Sequence, residues 1–110
     1  MPSKSKIILA LDLNNFSKIK KIINKIYKDI YGVKIGYQFY FNFGFKGYNY
    51  IKKRKLKIFF DFKLHDIPHT ISKGIQAINK LNPEMMTVHI SGGKRMLDEA
   101  KKNSTICRFI

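Results

Sequence analysis

Asp61, Lys63 and Asp66 put a carboxylate, an ammonium and a second carboxylate within six residues of one another. They stand in the stretch Asp61-Phe62-Lys63-Leu64-His65-Asp66-Ile67-Pro68-His69-Thr70, directly after the apolar run Ile58-Phe59-Phe60. In a strand, residues two apart share a face and lie roughly 6.5 to 7 Å apart, so Asp61 and Lys63 are expected to project together. Phe60, Phe62 and Leu64 then point the other way. An acid beside a base on an otherwise apolar strand is suited to electrostatic or acid–base work on a charged substrate. A strand handing over to a helix is where α/β enzymes put such groups.

Other elements must position that strand. Residues 7–12 (Ile, Ile, Leu, Ala, Leu, Asp) read as a buried parallel strand ending in a charge. Asn14 or Asn15 can cap a helix from Phe16 to about Tyr27, whose apolar face is Ile19, Ile22, Ile23 and Ile26. A second short strand covers residues 31–36. Residues 37–53 carry an aromatic run that also alternates like a strand; the spacing predicts a helix interrupted near Gly44, with the basic residues 52–55 at its end, where cations suit the dipole. The third strand covers residues 57–64. Pro68 suits the first turn of a helix with Ile71, Ile75, Ile78 and Leu81 on its buried face, ended by Asn82-Pro83. A fourth strand covers residues 85–90, and Ser91-Gly92-Gly93 opens a fourth helix to about Lys102. Strand and helix alternate four times, which implies a parallel sheet with right-handed crossovers.

Counting by twos sorts the faces. Asp12 falls with Ile8 and Ala10, Lys34 with Gly32 and Gly36, Asp61 and Lys63 with Phe59, and His89 with Thr87. The opposite faces (Ile7, Leu9, Leu11; Val33, Ile35; Ile58, Phe60, Phe62; Val88, Ile90) are apolar and suit packing against helices. Polar groups near the carboxyl ends of four consecutive strands are the layout of a barrel with its site at that rim. The bland alternative is an ion-pair network in which Lys34, Asp61, Lys63 and Asp66 only hold the rim together. No Gly-x-Gly-x-x-Gly follows the first strand, which counts against dinucleotide binding. His65, Asp66 and His69 suggest a metal cluster, but Pro68 breaks the helix that would align the histidines, so no metal is expected. A hydrogen-bonded structural role is expected for His89.

Over its 110 residues the chain carries 22 Lys and Arg against 7 Asp and Glu, a formal charge of +15. The excess is nearly all lysine on predicted helix faces, with much Ile, Asn, Phe and Tyr, the pattern of AT-rich coding. No recognition motif accompanies it, so neither nucleic acid nor a membrane surface is expected as a partner. Cys107 is the sole cysteine, which excludes an internal disulfide, and the amino terminus has no signal-like apolar core. Together these favour a cytoplasmic protein. Asn103-Ser104-Thr105 matches a glycosylation sequon, without meaning in that setting.

The pattern Asp-x-Lys-x-x-Asp-Ile-Pro-x-Thr of residues 61–70 resembles the active-site motif of the orotidine 5'-phosphate decarboxylase family. Ala10-Leu11-Asp12 and Lys34-Ile35-Gly36 resemble that family's first- and second-strand motifs, and residues 87–93 its fourth strand and loop, in the family's order from residue 7 to about 100. The resemblance implies the amino-terminal half of a (β/α)8 TIM barrel, about four β/α units, that turns OMP into UMP and CO2 without cofactor or metal in pyrimidine biosynthesis. It implies that Asp12 and Lys34 bind the ribose, that Asp61 presses on the substrate carboxylate, and that Lys63 stabilises and protonates the carbanion. It further implies a homodimer in which Asp66, Ile67 and Thr70 complete the neighbouring subunit's site. Lys63, Asp61, Asp66 and Lys34 are thus the expected catalytic group, and the whole chain is expected to form one truncated barrel domain.

A (β/α)8 barrel needs ~250 residues. The family's phosphate-gripping loops have no counterpart here, and residues 103–110 read unlike a fourth helix leading to a fifth strand, as in a frameshifted or prematurely stopped product. Two unpaired sheet edges, at the first and fourth strands, are expected to invite association, and activity in isolation is doubtful. A sugar-phosphate decarboxylase or lyase of the same suprafamily, or a non-catalytic remnant with a basic surface, are the alternative functions.

Overall fold

The computed structural model describes residues 5–104 and 108–110. Cys107 and Thr105 lie outside them. The chain divides into two compact units, Met1–Asp61 and Phe62–Ile110, and the long third strand passes from one into the other.

In the first unit, β1 (Ile8–Ala10), β2 (Gly32–Ile35) and β3 (Lys57–Leu64) are parallel, with Ala10 opposite Lys34 and Lys34 opposite Phe59. The helices α1 (Phe16–Ile26) and α2 (Tyr37–Lys53) connect them. α1 starts where the Asn15 side chain accepts the Lys18 N–H at 3.1 Å, one of the backbone donors a helix start leaves unpaired. Its Ile19 and Ile23 are fully buried, as are Val33, Ile35 and Ile58 from the apolar faces of β2 and β3. Each such side chain contributes roughly 1.5–3 kcal/mol through removal from water.

The aromatic run is helical, as its spacing predicts, and is broken at Gly44 (φ 58°, ψ −150°). That backbone region is open essentially to glycine alone. The break lets Phe39 and Tyr48 both reach the core while Phe41 and Phe45 stay outside. Rings and cations join the two helices: Phe16 stacks on Phe43 at 5.0 Å, the Lys20 ammonium lies 4.7 Å from the Phe16 ring centre, and Arg54 donates to Tyr50 Oη at 2.8 Å and Asn24 Oδ1 at 2.9 Å.

In the second unit, the end of β3 lies beside β4 (Met85–Val88), the His89 N–H donating to the Leu64 carbonyl at 2.9 Å. α3 (Pro68–Asn79) begins with proline in its first turn, and Ile71 and Ile75 are its buried face. Asn82, in the left-handed region (φ 55°), and Pro83 follow its end. After the 3-10 turn η1 (Ile90–Gly92), α4 (Lys94–Asn103) buries Met96 and Ala100. α3 and α4 meet through amides: Asn79 donates to the Asn103 carbonyl at 2.6 Å and Gln76 to Asn103 Oδ1 at 3.0 Å.

The structure corrects three expectations. The fourth strand is not an edge, because β5 (Arg108–Phe109) pairs with it in parallel, Met85 opposite Arg108. Ile7 and Ile90, expected to pack against helices, are 60% and 80% exposed. Each falls just outside its strand, Ile7 before β1 and Ile90 in η1, so the period-two rule does not reach them. Asp12 for the same reason lies past β1 rather than on it, exposed in the loop to α1.

Candidate functional site

The first unit holds Asp12, Lys34 and Asp61. The Lys34 carbonyl accepts the Leu11 N–H at 3.0 Å, which extends the β1–β2 pairing to the residue before Asp12. The Lys34 ammonium pairs with Asp61 Oδ2 at 3.4 Å, joining neighbouring strands. Their side chains are 34% and 11% exposed, so the acid is mostly withdrawn from water while the lysine reaches it from the wetter side. Withdrawing a carboxylate from water costs less with a cation beside it. β2 approaches β3 closely because Gly32 has no side chain: a Cβ there would meet the Lys57 carbonyl oxygen at 2.2 Å. Of the residues expected at the site, this unit brings Lys34 and Asp61 together and leaves Asp12 exposed on its loop.

The second unit holds Lys63, Asp66, Ile67 and Thr70. Lys63 has φ 48°, the left-handed region, although it lies within a strand. For a residue with a Cβ this costs on the order of 1–2 kcal/mol. The count by twos that assigns Lys63 to the face of Asp61 presumes a regular pleat, and Lys63 does not keep one. Its N–H donates to Thr87 Oγ1 at 2.7 Å and its side chain is exposed. Asp66 turns back on the chain, Oδ1 accepting the Ile67 N–H at 2.7 Å. Ile67 is extended (φ −65°, ψ 154°), as the residue before proline must be, and is 64% exposed; Thr70 is exposed one turn on.

An open cleft of about 400 Å³ is lined by His65, Asp66, Ile67, Pro68 and Gly92. His65 stacks on His89 with ring centres 4.9 Å apart. His89 is exposed and lies beyond β4, past the strand face on which the count by twos sets it with Thr87, because the strand ends at Val88. It is hydrogen-bonded: Nδ1 accepts the Ser91 N–H at 3.3 Å and also meets the Ser91 hydroxyl. A backbone N–H can only donate, so in neutral His89 the ring proton sits on Nε2. Among the described residues, no three His, Cys, Asp or Glu side chains gather in a set able to hold a metal ion. The sequence did not point to Thr87 as a partner of Lys63; its one signal, a hydroxyl two residues before His89, has meaning only once β4 lies beside β3.

A profile described as "Orotidine 5'-phosphate decarboxylase / HUMPS family" matches residues 5–107. The chain belongs to that family. The match reaches beyond residue 100, into the tail whose pattern looks foreign. An orotidine 5'-phosphate decarboxylase of Erythrobacter litoralis is 40% identical over 95 residues, which cover 86% of this chain and 42% of that protein. The same-named protein of Wigglesworthia glossinidia brevipalpis is 43% identical over 97 residues, 88% of this chain and 42% of its own. The chain therefore spans less than half the length of these curated relatives. Among solved structures, the orotidine 5'-phosphate decarboxylase of Lactobacillus acidophilus superposes with a TM-score of 0.80 at 31% identity, over 94% of this chain and 50% of that one. The Pyrococcus horikoshii decarboxylase matches at 0.81 with 21% identity, a likeness of fold. The α/β order seen here is thus that of about half a (β/α)8 barrel.

Proposed function

We propose that this chain carries half of the active site of an orotidine 5'-phosphate decarboxylase, a cytoplasmic carboxy-lyase that converts OMP to UMP and CO2. The observation that carries this reading is the Lys34–Asp61 pair, a mostly buried carboxylate held by a lysine across neighbouring parallel strands, in a chain of that family. In this reading Asp61 faces the carboxylate at C6 of the pyrimidine. The two like charges repel in the bound substrate, and the repulsion fades as the C6–carboxylate bond breaks and CO2 leaves, which lowers the barrier. The electron pair stays on C6. Lys63 stabilises it with its ammonium charge and then transfers a proton from Nζ to C6, leaving a neutral amine that water reprotonates. Lys34 keeps Asp61 charged and reaches a ribose hydroxyl; Asp12 accepts a hydrogen bond from the ribose. No cofactor enters any step.

Asp66, Ile67 and Thr70 act across a homodimer, in the partner subunit's site. Their exposure supports this, above all that of Ile67, an apolar side chain left 64% in water. Turnover needs the rest of the barrel with its phosphate-holding loops, which the relatives carry beyond the matched span. The relatives named above favour the nucleotide over a sugar phosphate as substrate.

Mixing the chain with the uncovered part of the Erythrobacter litoralis relative and following OMP conversion to UMP tests the reading. Turnover in the mixture that Lys63→Ala abolishes is the expected result. A mixture that assembles without turnover, or turnover indifferent to Lys63→Ala, contradicts it.

A further inference from the structure

The geometry points to Thr87 as the positioning residue that fixes Lys63 in its left-handed conformation and thereby sets the direction of its ammonium; this rests on the reading of Lys63 as proton donor. Three non-glycine residues among those described have positive φ: Lys55, Lys63 and Asn82. Lys55 follows Arg54, the residue that caps the end of α2, and Asn82 precedes Pro83, both just past helix ends, where that conformation is ordinary. Lys63 lies inside β3. At such a position glycine or asparagine carries the least strain, so a lysine there indicates that its side chain is needed.

What holds it is visible. The Lys63 N–H donates to Thr87 Oγ1 at 2.7 Å, the short end of the range for an N–H···O bond. Thr87 is half-buried in β4, next to the last residue of that strand. Its branched Cβ leaves few rotamers, which keeps the hydroxyl acceptor in place. One residue on, the Leu64 carbonyl accepts the His89 N–H at 2.9 Å, so the backbone is pinned on both sides of the Lys63 carbonyl. Strained backbone of this kind persists only where its surroundings over-determine it, and it gathers at working sites.

The test is amide exchange and HN–Hα coupling at Lys63 in the full chain, for wild type, Thr87→Val and Thr87→Ser. The wild-type amide is expected to be protected; Thr87→Val speeds its exchange about tenfold or more and moves the coupling toward that of an extended residue, while Thr87→Ser stays close to wild type. An unprotected wild-type amide, or a Thr87→Val chain unchanged in both readings, overturns the assignment. Calorimetry with UMP adds a readout that a purely structural residue does not move. Thr87→Val lowers affinity about tenfold in the wild-type background and adds nothing in a Lys63→Ala background. An equal loss in both backgrounds means that Thr87 does not act through Lys63. Absence of UMP binding by the wild-type chain counts against the decarboxylase reading, and the amide measurements still decide the role of Thr87.

Discussion

The two units hold their polar residues by different means. In Met1–Asp61, Lys34 is placed by the ladder, opposite Ala10 on one side and Phe59 on the other, and its partner Asp61 stands on the strand beside it. In Phe62–Ile110, the notable residues are held by bonds between side chains and backbone: Thr87 to the Lys63 amide, Asp66 to the Ile67 amide, His89 to the Ser91 amide. A ladder repeats and its pattern can be counted. A side-chain bond to the backbone is a local event that can move a residue off the count.

Variants that strike the ladder and the core behind it should have the largest effects. Phe39→Ala, at a fully buried ring, is expected to cost about 3–5 kcal/mol in urea unfolding. Gly32→Ala is expected to lose about 3 kcal/mol, since the new methyl meets the Lys57 carbonyl and β2 and β3 must part. A loss below about 0.5 kcal/mol there would show that the ladder is not what fixes Lys34.

Smaller effects separate the two strained lysines. Lys55→Gly and Lys63→Gly should each relieve backbone strain and raise stability by about 1 kcal/mol in thermal unfolding. Only Lys63→Gly should also weaken nucleotide binding. If Lys63→Gly destabilises the chain, the conformation at Lys63 is not strained and the contrast between the units narrows. At the bottom of the scale is Lys94, whose ammonium is raised above its ordinary range first by the hydrogen bond to Asp98 and then by that carboxylate's charge. A raised lysine adds stability below its unfolded value and loses it as pH climbs through the folded one, so any contribution fades only in alkali. The pair is exposed and screened, and Lys94→Gln should leave the melting temperature at neutral pH within error.

The same contrast sets what was legible in the sequence. The strand–helix alternation, the β3 limits, the Asn15 cap and the break at Gly44 follow from period and residue type and are present; of the expected helix faces Ile19, Ile23, Ile71 and Ile75 are buried, while Ile22, Ile26 and Ile78 are half-buried and Leu81 lies past the end of α3. The family, too, was legible, because residues 61–70 carry so many of its features in so short a span. The pleat at Lys63, the place of Asp12 beyond β1, the turn of His89 toward Ser91 and the pairing of β5 were not. Each depends on where a strand stops or on a partner far away in sequence, and the alternation of apolar residues records neither. The aromatic and cationic seam of Phe16, Lys20, Tyr50 and Arg54 is of the same kind, since its members lie on two helices whose mutual rotation no single-helix pattern fixes.

Binding of UMP measured by calorimetry on the wild-type chain, on Lys63→Ala and on Asp12→Asn bears most directly on the claim that half of a nucleotide site is present. The account predicts binding by the wild-type chain that weakens in both variants. A folded wild-type chain that takes up no UMP, or variants that bind it as well as wild type does, would contradict it.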